Sequence, residues 1–381
     1  MLAVDKLLEA TKRLRLGAIL NPTSVTPELR HLADVLHEAG SLAALFGPEH
    51  GVRGDIQYLV DIEEARDPRT GVVEHSLYGK DFASLTPRDE HLRGLDALLF
   101  DVQDVGSRYY TYLATMGLAM QAAAKKGLRF FVLDRPNPIG GVEVEGGVVH
   151  PGFESFVGLW PVCARHGLTA GEMAQLLNRD LRCDLHVIKL QGWKRSMLYG
   201  ETGLPWVIPS PNMPTVETAL VYPGMCLLEG TNLSEGRGTT KPFELFGAPW
   251  LDGQRLADDL GREGLRGVKF RPCSFTPTWD KHKGARCHGV QIHITDARSL
   301  QPVRLGVACI VHARAQDFAK FRWRTERYEF VEDKPAIDLL TGSAHFRAEV
   351  EKGAGTAALC AAWDAERAEF QQRRQGALLY G

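Results

Sequence analysis

The 381-residue chain has seven cysteines, Cys163, Cys183, Cys226, Cys273, Cys287, Cys309 and Cys360, and no two stand in a C-x-x-C spacing. An odd, scattered set excludes a zinc ribbon and argues against a disulfide framework, so reduced thiols are expected. No apolar run approaches the roughly 18 residues that a membrane-spanning helix needs. Neither sign of charge is in excess: 45 Lys and Arg face 47 Asp and Glu, a formal net charge of -2. The basic field that nucleic acid or an anionic membrane requires is therefore missing, and neither is expected as a partner. There are no repeats and no low-complexity tracts. No G-x-G-x-x-G follows the first apolar run, where Asn21-Pro22-Thr23 stands instead, and Gly236-x-Gly238-x-x-Lys241 is only a partial look-alike. With no G-x-x-x-x-G-K-[ST] and no G-x-S-x-G either, dinucleotide binding, P-loop chemistry and the serine-hydrolase elbow are all disfavoured. The start, Met1-Leu2-Ala3-Val4-Asp5-Lys6, puts charges where a signal peptide has its apolar stretch, which predicts a cytoplasmic protein.

What is present is a pattern. Four short apolar runs end abruptly in polar or glycine-rich segments: 16–20 before Asn21-Pro22-Thr23, 42–46 before Gly47-Pro48-Glu49-His50-Gly51, 97–100 before Asp101-Val102-Gln103-Asp104, and 130–133 before Asp134-Arg135-Pro136-Asn137. Such runs read as strands buried on both faces. Helical spacing lies between them, over 27–39 (Thr26 and Pro27 at its start, Gly40 after it) and over 110–126, closed by Gly127. Alternating strand and helix predicts an α/β fold with a Rossmann-like parallel sheet in the N-terminal domain. Ligands bind beyond the carboxyl ends of such strands, where Glu49, His50, Asp101, Asp104, Asp134 and Arg135 are gathered. After a Gly- and Pro-rich stretch, the capping box Thr169-x-x-Glu172 opens a helix and a strand follows near 185–190. The domain boundary is placed there: 1–160 as the Rossmann-like domain, 161–381 as a smaller mixed α/β domain. The latter is expected to carry a helix over 253–262, strands near 268–271 and 290–294, a helix over 304–319 and a helical tail over 356–373.

Four segments carry chemistry. Phe46 to Asp55 puts Glu49, His50 and Arg53 in a turn whose glycines allow close approach to a ligand; His beside Glu at a strand end suits acid–base work. Phe100 to Tyr110 offers Asp101, Gln103, Asp104, Arg108 and Tyr109, a set that hydrogen-bonds and stacks on sugars, although Asp104 or Ser107 could equally cap the next helix. Asp134-Arg135-Pro136-Asn137-Pro138 is a stiff turn, read either as a ligand contact or as an internal ion pair. The densest segment runs from Tyr222 to Phe243 and contains Glu229, Asn232, Glu235, Arg237 and Thr239. His282, Cys287, His288 and His293 match no zinc spacing, so no metal is expected.

These motifs resemble one family closely. G-P-E-H-G-x-R-G at 47–54, D-V-Q-D-x-G-x-R-Y-Y-T-Y at 101–112, D-R-P-N-P-x-G-G at 134–141 and Y-P-G followed by E-G-T-N-x-S-E-G-R-G-T-T-x-P-F-E at 222–244 are similar to the segments of the exo-β-N-acetylmuramidase (NamZ) family. The resemblance implies a glycoside hydrolase that removes N-acetylmuramic acid from the non-reducing end of peptidoglycan fragments. It also implies an active site in the cleft between a Rossmann-like and a smaller domain, and no cofactor. In that family the glutamate of the E-H-G motif is the favoured catalytic carboxylate, which makes Glu49 the expected acid, with His50 beside it. Glu235 leads the candidates for the second group; Glu229, Asp101, Asp104 and the substrate's own acetamido oxygen stay open. Reading the lactyl carboxylate of a muramyl unit needs an arginine, for which Arg53, Arg108 and Arg237 are the candidates. Many members are exported, whereas this N-terminus favours intracellular recycling of a muropeptide or disaccharide substrate. Stereochemical outcome, tolerance of peptide stems and oligomeric state are left open by the sequence.

Overall fold

In the computed structural model, residues 1–54 and 65–381 are described; Asp55, the last residue of the first polar segment, lies outside them. Strands β1 (Leu16–Leu20), β2 (Leu42–Gly47), β3 (Ala65–Arg66), β4 (Val73–Ser76), β5 (Ala97–Asp101), β6 (Arg129–Leu133) and β7 (Asp184–Ile188) form one sheet in the order β3-β4-β2-β1-β5-β6-β7. All neighbours run parallel except the short β3, which is antiparallel to β4. The central strands β1 and β5 are buried at every residue, as their unbroken apolar sequences require. Gly17 is needed in β1, because a Cβ there would stand 2.7 Å from Leu95 and Phe46.

Helices α1 (Val4–Thr11) and α2 (Leu32–Glu38) cover one face of the sheet; α3 (Tyr112–Lys126) and α4 (Ala170–Leu181) cover the other. Helix α3 ends on Gly127 in the left-handed conformation, and α4 opens on the Thr169–Glu172 capping box, both as the sequence predicts. Helix α2 starts later than expected. Thr26 N–H bonds the Arg30 carbonyl at 2.8 Å and Leu29 is left-handed, so 26–30 closes as a turn and His31 becomes the N-cap, accepting from Ala33 N–H.

The remainder builds on α5 (Val216–Met225), β8 (Leu245–Ala248), α6 (Gly253–Arg262), β9 (Val268–Phe275), β10 (Cys287–Ile294), α7 (Pro302–Gln316), α8 (Ala336–Thr341), α9 (His345–Glu351), α10 (Thr356–Ala361) and α11 (Asp364–Arg374). Its sheet is antiparallel, in the order β8-β10-β9. Helices α5 and α7 cross so closely that a Cβ on Gly224 would meet the Pro302 carbonyl, which explains a glycine directly after Pro223 inside a helix. The expected single tail helix is two, because Trp363 turns inward between α10 and α11 to stack on Phe346 at 5.7 Å.

The division of sheets does not fall at residue 160. Helix α4 and β7, assigned from sequence to the second domain, complete the first sheet, with β7 pairing parallel to β6 from Arg129↔Asp184 to Leu133↔Ile188. One buried apolar cluster runs through both halves, from Ile19 to Ala377. Helix α11 returns to the first half, where the Arg374 guanidinium donates to the carbonyls of Gly141, Val142, His166 and Gly167.

Candidate active site

Glu49 follows the carboxyl end of β2. Its turn is fixed from both sides: Gly51 N–H bonds the Pro48 carbonyl at 2.9 Å, and Glu74 of β4 accepts from Val52 N–H at 3.0 Å. His50 adopts φ 75°, a left-handed geometry that costs a non-glycine residue on the order of 1–2 kcal/mol. The turn points Glu49 toward the start of α3, where Thr111 Oγ1 donates to its Oε2 at 3.2 Å. His50 Nε2 lies 4.0 Å from Glu49 Oε1, and the Glu49 side chain remains 24% exposed, open enough to meet a substrate. Arg53 turns away from this pair. It donates to Asp67 at 2.7 and 3.0 Å and to Asp34 at 2.6 Å, so its charge is already matched. The hydrogen bond to Asp67 raises the Arg53 pKa; burial pushes Asp67 upward, but bonds from Arg53 and Thr70 outweigh it and lower that carboxyl.

The loops after β5 and β6 serve each other. Arg135 forks onto the fully buried Asp101 at 2.5 and 2.9 Å and also donates to the Val25 carbonyl. Asp134 accepts from Thr169 Oγ1 and Gly171 N–H at 2.7 Å each, so it binds the N-terminus of α4, and from the Tyr380 hydroxyl at 2.5 Å. Burial nevertheless pushes Asp134 up to about 6. Asn137 donates to the Leu168 carbonyl and accepts from Ile139 N–H. Arg108 spends its guanidinium on the carbonyls of Gly147, Val162 and Leu340, stitching α8 to the first half, and Tyr109 is buried beside it. Of this set, Gln103 and Asp104 keep acceptor capacity: among the described residues Gln103 Oε1 and Asp104 Oδ1 are buried without a partner, as is the Arg108 Nε donor, while Asp104 Oδ2 accepts from Gly106 N–H at 2.6 Å.

The densest segment folds around Arg237, which bonds Glu229 at 2.6 Å, lies 3.2 Å from Glu235 and covers the Phe243 ring at 5.3 Å. Lys281 Nζ stands 2.7 Å from the other Glu235 oxygen, and the Glu235 side chain is 1% exposed. Glu235 is thus an internal counter-ion held between two cations rather than a carboxylate open to substrate. Burial would raise the Glu229 pKa, but Arg237 and the Tyr328 hydroxyl, which donates at 2.8 Å, hold it below the usual range. Asn232 fixes the backbone at 320–322, and Thr239 closes a turn on the Gly236 carbonyl. His282 bonds the Asn232 carbonyl, and Cys287, His288 and His293 lie along β10.

Aromatic contacts join the Glu49 side to this segment: Tyr112 to Tyr110 at 4.9 Å, Tyr110 to Tyr222 at 5.7 Å, and Tyr222 to Phe243 at 4.9 Å. Four residues here escaped sequence reading: Lys281, Arg324, Tyr328 and Glu329. They stand in charged stretches that read as solvated surface, and no motif marks them. Burial, with the charge of Glu49 the next largest cause, pushes the Glu329 carboxyl up to about 8.

The family model of the N-terminal part of exo-β-N-acetylmuramidase NamZ matches residues 16–217, and that of its C-terminal part matches 220–380. The chain belongs to this family. It is accordingly a glycoside hydrolase. The chain is 45% identical over 370 residues to the peptidoglycan β-N-acetylmuramidase NamZ of Bacillus subtilis, an alignment spanning 96% of this chain and 87% of that one. Two crystal structures of DUF1343 family proteins from Bacteroides fragilis superpose on it, each over 99% of this chain and 97% of the other. The first has a TM-score of 0.90 at 37% identity and the second 0.79 at 29%. Within the family, the two models meet at 217–220, after β7, not at 160.

Proposed function

We propose that the protein is an exo-acting β-N-acetylmuramidase that cleaves N-acetylmuramic acid from the non-reducing end of peptidoglycan fragments such as the disaccharide MurNAc-GlcNAc, with Glu49 as the acid–base carboxylate, in the recycling of cell-wall material. The observation that carries this reading is Glu49 itself: a carboxylate at the end of a parallel strand, on a strained turn, partly open, held by Thr111 and flanked by His50. Kinship with the Bacillus subtilis enzyme supplies the substrate class. Gln103 and Asp104, which have unmet acceptors, fit the hydroxyl and amide donors of a sugar.

A muramyl unit differs from a glucosaminyl unit by a lactyl carboxylate, and a cation must meet it. The three arginines named from sequence are engaged internally: Arg53 by two aspartates, Arg108 by three carbonyls and Arg237 by two glutamates. Arg324 is the better reader. It is half-buried, its guanidinium lies over the Tyr328 ring at 5.1 Å, and no carboxylate among the described residues pairs with it.

The test is product release from a chromogenic β-N-acetylmuramide by wild type and by Glu49→Gln, with the β-N-acetylglucosaminide as control. Turnover of the muramide alone, falling by roughly a thousandfold or more in a folded variant, is expected. Wild type that binds a muramide without cleaving it would instead mark a sugar-binding protein.

A further inference from the structure

Residues 324–331 reach from the second half of the molecule toward the first. Arg324 N–H bonds the Gly230 carbonyl, and the Arg324 carbonyl accepts from Ala336 N–H, which anchors one end. At the other, Tyr328 and Val331 bond each other in both directions at 2.9 and 3.0 Å and close a two-residue turn. Its central residues, Glu329 and Phe330, are both left-handed, at φ 46° and 70°. That geometry belongs to Asn and Gly; a glutamate and a phenylalanine adopt it only when their surroundings force them to. Phe330 shows what forces it: its ring packs against Tyr78, Phe82 and Phe156 of the first half at 6.2 to 6.4 Å.

The consequence falls on Glu329. Its Oε2 is buried with no hydrogen-bond partner among the described residues, an expensive state for a carboxylate. The charges that act on it are Glu49 and Glu229, which favour its protonated form, and Arg237 and Arg324, which oppose it. Tyr328, its neighbour in the turn, is committed to Glu229. Burial and Glu49 prevail and push the carboxyl up to about 8, so it keeps its proton in neutral solution.

We propose that Glu329 is the second catalytic carboxyl, the proton donor to the leaving glycosidic oxygen, with Glu49 as the base. This rests on the glycosidase reading above, and divides between two residues the acid–base work given there to Glu49. The C1–O bond breaks with its electron pair passing to the leaving oxygen, which takes the Glu329 proton. The oxygen of water forms the new bond at C1, its released proton goes to Glu49, and return of a proton to Glu329 restores the pair. A strained turn packed across the two halves suits this role, because it sets the donor's position by folding alone.

The test compares kcat/KM on MurNAc-GlcNAc with that on 2,4-dinitrophenyl β-N-acetylmuramide, whose leaving group needs no proton, for wild type, Glu329→Gln and Glu329→Asp. For Glu329→Gln we expect a loss of about 10²- to 10⁴-fold on the disaccharide and roughly tenfold or less on the aryl substrate. The wild-type disaccharide rate should fall as pH rises through about 8, and that limb should vanish in Glu329→Gln. Equal losses on both substrates, or an unchanged alkaline limb, would overturn the assignment. If Glu329→Gln does not fold, Glu329→Asp decides: its alkaline limb must move, and an unmoved limb overturns the proposal. Wild type that cleaves neither substrate refutes the glycosidase reading; active wild type with indifferent variants refutes only the role of Glu329.

Discussion

The loops after β5 and β6 and the turns holding Glu49 and Glu329 contain the same kinds of side chain and use them in opposite ways. In the first pair, Asp101, Arg108, Asp134, Arg135 and Asn137 are almost wholly buried, and their hydrogen bonds end on one another, on the backbone or, for Asp134, on the Thr169 and Tyr380 hydroxyls. In the second pair, His50, Glu329 and Phe330 are held in left-handed backbone, and carboxylates are kept partly open or short of partners. A polar motif in sequence therefore marks importance without saying of which kind. Satisfied hydrogen bonds identify scaffold, and strain with unmet capacity identifies chemistry.

The contrast breaks first at Asp101. Asp101→Ala strands the Arg135 guanidinium in the core and should cost about 3–5 kcal/mol, read as a large drop in melting temperature or loss of folded protein. Glu49→Gln should leave the melting temperature within a few degrees while activity collapses. If both variants lose stability alike, the distinction between scaffold and site fails.

Arg324→Ala should fold normally and lower kcat/KM on the muramide about 10- to 100-fold more than on the glucosaminide, through loss of a charged partner for the lactyl group. Equal loss on both substrates returns specificity to another residue.

The last effect concerns pH. The Asp134 pKa is raised to about 6 in the folded protein, above its value of 3.8 in a free side chain, so the native state binds more protons between those values and loses stability as pH rises through that window. The Asp134→Asn variant lacks this titration. The stability advantage of wild type over it should therefore be larger at pH 4 than at pH 7, by up to about 3 kcal/mol, measured by denaturant unfolding. A constant difference across this range would mean that the carboxyl is not held up by burial.

Much of the fold was legible because its causes are local. Unbroken apolar runs made β1, β2, β5 and β6; Gly127 and the Thr169–Glu172 box closed α3 and opened α4. The errors arose where distant contacts won. The turn over 26–30 displaced the start of α2, the stacking of Trp363 broke the tail helix, and pairing with β6 drew β7 into the first sheet across the Gly- and Pro-rich stretch.

The sequence by itself determined the α/β architecture, the family and the prominence of Glu49, because periodicity, caps and contiguous motifs are written along the chain. Only the tertiary structure decided which charged residues are free to act. Whether Arg53, Arg108 or Arg237 faces a ligand depends on partners up to 232 residues away. Glu329, alone in a charged stretch, acquires its character only when Phe330 docks against Tyr78, Phe82 and Phe156 and Glu329 Oε2 is buried where the charge of Glu49 acts on it. Burial and pairing are properties of three-dimensional neighbours, and they, more than residue identity, set what a carboxylate can do.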